Sequence, residues 1–393
     1  TFSLTGSDPD ESIVKSTVMF GSNSSVTFTN NAVTVTHTGS GDAGDPLLDF
    51  AALSSSSSVT VAVGTGGSVN VANNTFDITS GSDALSWEVI KCTGTKDISI
   101  TSNSFDIKQT DTSDGQIMAI QVDADPGTAK VHTIEVSGNN FKMDENRGYG
   151  IYIRADNDYS ELNSNCRIIN NKVIGVLDFN VSSTGGTGIY IEEVNSPTIS
   201  QNVLQNHYDG ILAKGCATPV ITDNILEEVG DNGGDVFAPI ALFVTEGSGG
   251  TIKRNKFIQS FGSNRIIGSS IRIDTQPGFT FSDNIIILMA ASSAANNYRY
   301  FKADNASGIN NSQFTGSATA STFSGNVYIN TANQGNTATA VASIGSDSNV
   351  TLAEYKTHVD PTSKYDPAML TQNLTKELTK PFLTEEVINI REF

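Results

Sequence analysis

Short runs in which every second residue is apolar recur along the chain, each closed by turn residues. Ile98-Ser99-Ile100 precedes Asn103-Ser104-Phe105, and Thr198-Ile199-Ser200 precedes Asn202-Val203-Leu204. The tripeptide Asn-x-apolar is the most regular part. It reappears as Asn31-Ala32-Val33, Asn74-Thr75-Phe76, Asn139-Asn140-Phe141, Asn171-Lys172-Val173, Asn224-Ile225-Leu226, Asn255-Lys256-Phe257, Asn284-Ile285-Ile286 and Asn326-Val327-Tyr328. A second motif, Gly188-Ile189-Tyr190-Ile191, returns 22 residues later as Gly210-Ile211-Leu212-Ala213. A period of two predicts strands, two short ones per unit. Self-similarity at a fixed interval predicts a solenoid, whose long faces rather than a single crevice carry function.

A coil of about 22 residues suits a parallel β-helix, in which successive strands lie roughly 4.8 Å apart. Asn suits the turn because it tolerates left-handed backbone angles. Stacked rung on rung, its amide can bond the equivalent Asn above and below. The run Gly188 to Leu226 resembles the right-handed parallel β-helix superfamily of pectate lyases, polygalacturonases and phage tailspikes. The resemblance extends roughly from residue 26 to 330 and implies an all-β right-handed solenoid with short helical caps. A leucine-rich repeat is disfavoured because its Leu-rich consensus is absent. One scaffold of this kind hosts many functions, so the site must be argued separately.

Domain organisation follows from where the repeat stops: residues 1–25 an N-terminal cap, 26–345 the solenoid, 346–393 a C-terminal cap helix and tail. Asp8-Pro9-Asp10-Glu11 has the chemistry of a helix start, with a turn or two through Ser12-Ile13-Val14-Lys15. Thr351-Leu352-Ala353-Glu354 is a capping-box pattern opening a helix through His358, stopped by Asp360-Pro361. Residues 366–393 hold helical turns of Leu, Lys and Glu that pack along the solenoid or meet a partner chain. Gly-, Ser-, Asn- and Asp-rich insertions at 176–187, 229–236 and 290–322 fall in loops, which often gather on the binding face.

Composition narrows the function classes. A formal charge of −19 over 393 residues argues against nucleic acid and anionic membranes as partners and favours solubility. No apolar run reaches membrane-span length, so membrane insertion is not expected. Cys92, Cys166 and Cys216 lack metal-ligand spacing and read as small buried residues. His37, His132, His207 and His358 show no paired spacing for zinc. The opening Thr1-Phe2-Ser3 fits a removed leader or a fragment of a longer chain.

Strand alternation sorts the chemistry. With Ile151 and Ile153, Ile189 and Ile191, Ile211 and Ala213, Ile240 and Leu242, and Ile271 and Ile273 inward, two outward columns form. One reads Tyr152, Tyr190, Leu212, Ala241, Arg272; the other reads Arg154, Glu192, Lys214, Phe243, Asp274. Tyrosines beside alternating charges suit polysaccharide, with Tyr152, Tyr190, Arg154, Glu192 and Arg272 as binding residues. A plain surface charge ladder fits the same pattern.

Asn206-His207-Tyr208-Asp209-Gly210-Ile211 resembles the Asn-Thr-Asp-Gly-Ile motif of polygalacturonases, whose Asp is catalytic. That resemblance implies Asp209 as a catalytic carboxylate, with Asp231 or Asp235 one coil later. The family's His-Gly motif is missing, and its Arg-Ile-Lys becomes Arg272-Ile273-Asp274. A lyase would instead use Lys214 as base beside Arg154 and Arg272. Asp156, Asp158 and Glu161 offer hard oxygen ligands for Ca2+; no other cofactor is implied. The expected setting is extracellular or a cell or virion surface. A monomer is expected of an enzyme and a homotrimer of a non-enzymatic fibre, tailspike shaft or adhesin.

Overall fold

The computed structural model describes residues 2–6, 14–16, 25–37, 47–51, 68–80, 87–93, 97–109, 117–124, 133–144, 148–155, 165–175, 186–207, 209–227, 241–261, 268–290, 298–303, 321–330, 340–344 and 347–365. These residues build three parallel sheets around one apolar core. Each rung therefore carries three strands, not the two expected. The Gly-Ile-x-Ile segments form the first sheet. The apolar pair before the αL corner forms the second, and the residues after Asn form the third. Leu242–Lys253 and Gly268–Ser282 run unbroken through the corner and join the first two sheets.

One corner never changes. Between second and third sheets every rung turns on two residues, of which the second is the repeated Asn. The first takes the left-handed conformation: Asn30, Asn73, Ser102, Gly138, Asn170, Gln201, Asp223, Arg254, Asp283 and Gly325 all have φ between 56° and 68°. The left-handed residue is thus the one before the ladder Asn, which corrects the expected role. For Gln201 and Arg254 this conformation costs on the order of 1 kcal/mol or more, so something in the corner must hold it.

The amide ladder does. Asn31, Asn74, Asn103, Asn139, Asn171, Asn202, Asn224, Asn255, Asn284 and Asn326 stack in one column. In each step the backbone N–H and the side-chain Nδ2 both donate to Oδ1 of the next Asn, at 2.9–3.2 Å. From Asn74 onward Nδ2 also donates to a strand carbonyl of the preceding rung, as Asn202 does to Ile168 O at 2.9 Å. From Asn74 to Asn326 these residues are at most 2 % exposed, yet every amide is matched, which buried polar groups require.

The column ends on an acid. Asn326 Nδ2 donates to Asp360 Oδ2 at 2.8 Å, while Asp360 Oδ1 accepts from the backbone N–H and hydroxyl of Thr362. A carboxylate suits the last place because it only accepts; an amide would leave an N–H pair with no rung beyond it. Asp360 follows the helix Leu352–His358, capped by Thr351 and Glu354 as the sequence predicts. Leu352 and Tyr355 of that helix close the core, and Tyr355 Oη meets Tyr328 Oη at 2.8 Å. Ala340–Ile344 and Asp347–Thr351 pair antiparallel just before it, which ends the parallel stacking.

The opposite end departs from expectation. Val14–Ser16 is a strand paired with Leu48–Phe50, and Phe2–Gly6 pairs with Val33–His37. Residues 8–13 and the tail 366–393 lie outside the described residues. In the core, Phe76, Phe105 and Phe141 stack nearly parallel with centroids 4.9 and 4.6 Å apart. Cys92, Cys166 and Cys216 are free and buried, as their isolated spacing implies.

Asn202→Ala would orphan the N–H groups that Asn171 donates to Oδ1, and would take one donor each from Ile168 O and Asn224 Oδ1, the latter keeping the backbone N–H of residue 202. At about 1–3 kcal/mol per unsatisfied buried group, chemical denaturation should show a loss of several kcal/mol. Asn31→Ala, at the open end where among the described residues no earlier Asn donates to it, should cost about 1 kcal/mol.

Candidate functional site

The variable loops identify the face. The Asn corner is two residues long at every rung, while ladder spacing runs from 22 residues (Asn202 to Asn224) to 43 (Asn31 to Asn74). All the additional length enters the two corners flanking the first sheet, between third and first and between first and second sheets. The first sheet is therefore the face bordered by insertions.

On it the tyrosines and charges meet as expected over three rungs. Tyr152, Tyr190 and Leu212 are in register, as are Arg154, Glu192 and Lys214. At the next rung the expected register is off by two. Leu242 and Val244 lie inward, so Phe243 joins the tyrosine column between Leu212 and Arg272, and Thr245 joins the charge column between Lys214 and Asp274. Ala241 is buried. Leu242, next to it, is buried too, so alternation breaks at this pair; Ile240 lies outside the described residues. Arg272 sits over the Phe243 ring, 4.7 Å from its centroid, a cation–π contact.

A third tyrosine completes the cluster. Tyr149 lies 5.4 Å from Tyr152 and 5.7 Å from Tyr190, and those two are 5.0 Å apart, centroid to centroid. Strict alternation would put Tyr149 and Tyr152 on opposite faces. Gly150 and Ile151 are both buried, so the alternation breaks there and residues three apart both face out. The glycine is required: a Cβ at Gly150 would come 2.6 Å from Val173 Cγ1 and 2.7 Å from Gly188 O. Gly188 and Gly210 continue this tight column. The readable signal was Gly between two tyrosines.

Glu192 is the polar hub. Its side chain is 13 % exposed and accepts from Lys214 Nζ at 2.8 Å. Its other oxygen lies 3.5 Å from Tyr152 Oη, which donates, and 3.9 Å from Arg154 Nε. Burial, and then the Glu192 charge, push the Tyr152 phenol up to about 12. The same causes raise Tyr190. Both rings thus remain hydroxyl donors at neutral pH. The hydrogen bond to Glu192 raises the Lys214 ammonium. A base needs a lowered amine pKa, so in this arrangement Lys214 is the cation of an ion pair.

Asp209 opens its strand in register with Thr187, at the rim of the same sheet below Tyr149. Asp231 and Asp235, and the Ca2+ ligand set Asp156, Asp158 and Glu161, lie outside the described residues. Among the described residues no group of three His, Cys, Asp or Glu side chains converges on a metal position. No helix among them is long and apolar enough to cross a membrane.

His207, beside Asp209 in sequence, faces inward. It is 3 % exposed, with Nε2 3.1 Å from Val173 O. Burial lowers its pKa from 6.5 to about 4. The unfolded chain takes up this proton near pH 6.5 and the folded chain only near 4. Stability is therefore full above pH 6.5 and falls as pH drops through that window, by up to about 3 kcal/mol. In denaturation series from pH 7 to 4, His207→Gln should flatten this part of the profile and leave the carboxylate part unchanged.

Residues 159–354 match the family model of the right handed beta helix region. No curated protein and no solved structure matches the chain.

Proposed function

We propose, for a chain that belongs to the right-handed parallel β-helix proteins, that it binds polysaccharide along the outer face of the first sheet and cleaves it. The supporting observation is the tyrosine cluster: Tyr149, Tyr152 and Tyr190 in mutual contact, half-buried, beside Glu192 and its cations. Aromatic faces pack on the apolar faces of sugar rings, and the charged groups bond hydroxyls or carboxylates. Leu212, Phe243 and Arg272 extend the strip along the solenoid, as a polymer requires. The setting we infer is extracellular, or a cell or virion surface.

Hydrolysis is the favoured chemistry. Asp209 is the acid or base on the rim, and Asp231 or Asp235 is its proposed partner; hydrolysis requires the two carboxylates about 5 to 10 Å apart. Lyase chemistry through Lys214 would first have to break the Glu192 ion pair. Ca2+ held by Asp156, Asp158 and Glu161 belongs to the lyase reading. Arg154 and Arg272 serve as carboxylate or hydroxyl ligands in either.

A glycan panel scored for both binding and products tests the reading. Tyr152→Ala with Tyr190→Ala should weaken binding about tenfold or more, at roughly 1 kcal/mol per aromatic contact. Tyr152→Phe, which keeps the ring, should bind nearly as wild type. Asp209→Asn should bind but not turn over, since the amide cannot exchange the proton. Activity retained by Asp209→Asn and lost by Lys214→Ala, with products absorbing in the ultraviolet, would replace hydrolase by lyase. Binding without products under any condition, in a homotrimer, would replace the enzyme by a fibre or adhesin.

A further inference from the structure

Beside the tyrosine cluster every cation already has its carboxylate. Asp123, Arg154, Glu192 and Lys214 stand in register on successive strands of the first sheet, with alternating signs. Glu192 holds Lys214 at 2.8 Å and lies 3.9 Å from Arg154. Asp123 accepts the side-chain amide N–H of Gln121, which stands in register with Tyr152. On the rung before, Lys91 is in register with Gln121 and pairs with Glu88 at 3.2 Å. Among the described residues, the outer face from Glu88 to Lys214 therefore sets three cations, Lys91, Arg154 and Lys214, against four carboxylates, Glu88, Asp123, Glu192 and Asp209. The insertions that join these strands to their neighbours, 81–86, 94–96, 110–116, 125–132, 145–147, 156–164 and 176–185, add nine Asp or Glu and three Lys or Arg. They bring further carboxylates rather than spare cations. Arg272 and Lys302, in register two and three rungs beyond Lys214, each have an interaction partner.

We propose, resting on the reading that this strip binds polysaccharide, that its polymer is uncharged: a neutral glycan whose ring faces lie on Tyr149, Tyr152 and Tyr190 and whose hydroxyls bond the paired side chains around them. A uronate or sulfated chain carries repeated negative charge and needs unpaired cations at the rings. Here Arg154 and Lys214 share Glu192, and a chain of formal charge −19 repels a polyanion at long range. An amino-sugar polymer needs an unpaired carboxylate instead. Glu192 is not one, since it is 13 % exposed and already surrounded by Tyr152, Arg154 and Lys214. A hydroxyl meets neither obstacle, because it both donates and accepts. It can add to a paired carboxylate or ammonium without displacing the partner. A neutral substrate also decides the chemistry. Elimination requires a carboxylate beside the carbon that loses its proton, so cleavage of this polymer is hydrolysis.

An array of neutral, uronate-containing, sulfated and amino-sugar polymers, probed with the full chain at low and high salt, tests this. The tightest ligand should be neutral, and its affinity should change less than about twofold between low and roughly 0.3 M salt. Glu192→Gln keeps the side-chain shape and frees Arg154 and Lys214. It should raise affinity for polygalacturonate about tenfold or more at low salt, and salt should remove the gain. If that variant does not fold, the wild-type array decides alone. Tightest binding of a uronate, sulfated or amino-sugar polymer, weakened by salt, would overturn the proposal and leave the polysaccharide reading standing. A folded Glu192→Gln with no gain for polygalacturonate would also overturn it. Binding to no polymer of any class would sink the polysaccharide reading, and this inference with it.

Discussion

Every rung of this solenoid turns on a left-handed residue followed by a buried asparagine, and the amide ladder makes that corner tolerable. A left-handed Gln201 or Arg254 is unfavourable alone. The following Asn offsets it by tying three rungs together: it bonds a carbonyl of the rung before, accepts from its predecessor and donates to its successor. Because all these bonds run in one direction, they polarise one another, and the column needs an acceptor at its end. Asp360 provides it. The C-terminal cap is thus electrostatically continuous with the core, and the helix Leu352–His358 delivers the closing carboxylate as well as the closing apolar side chains.

Fixing one corner frees the others. With the second and third sheets locked by a two-residue turn, insertions accumulate only around the first sheet. That sheet can vary in its loops without disturbing the stacking register, since strand pairs such as Ile151, Ile189 and Ile211 stay aligned through insertions on either side. A rigid strip bordered by variable loops is how solenoids separate stability from recognition.

The outer faces then acquire separate chemistry. On the first sheet, Glu192 is held between a lysine, an arginine and a tyrosine, so a surface charge ladder becomes a half-buried hub against an aromatic cluster. Isolated exposed pairs contribute little; a carboxylate only 13 % exposed, with three donors around it, holds its neighbours in fixed positions. On the third sheet the outward isoleucines Ile258, Ile287 and Ile329 are buried at one end, while Asp77, Lys142 and Asp144 are exposed at the other.

The sequence by itself determined the solenoid, the ladder positions, the inward isoleucines of the first sheet and the helix at Thr351, because each is written in local periodicity or capping chemistry. It also brought Tyr152, Tyr190, Arg154, Glu192 and Lys214 together, since their strands alternate strictly from Ile151, Ile189 and Ile211 onward. Only the tertiary structure decided the third strand per rung, the left-handed residue ahead of each Asn, and the position of Asp360. It alone placed Tyr149 beside Tyr152 and moved Phe243 beneath Arg272. In each of these cases the deciding contact lies one rung away, 22 to 43 residues along the chain, or depends on a break in alternation such as Gly150. A pattern read along one strand carries no information about which strand it will stack on.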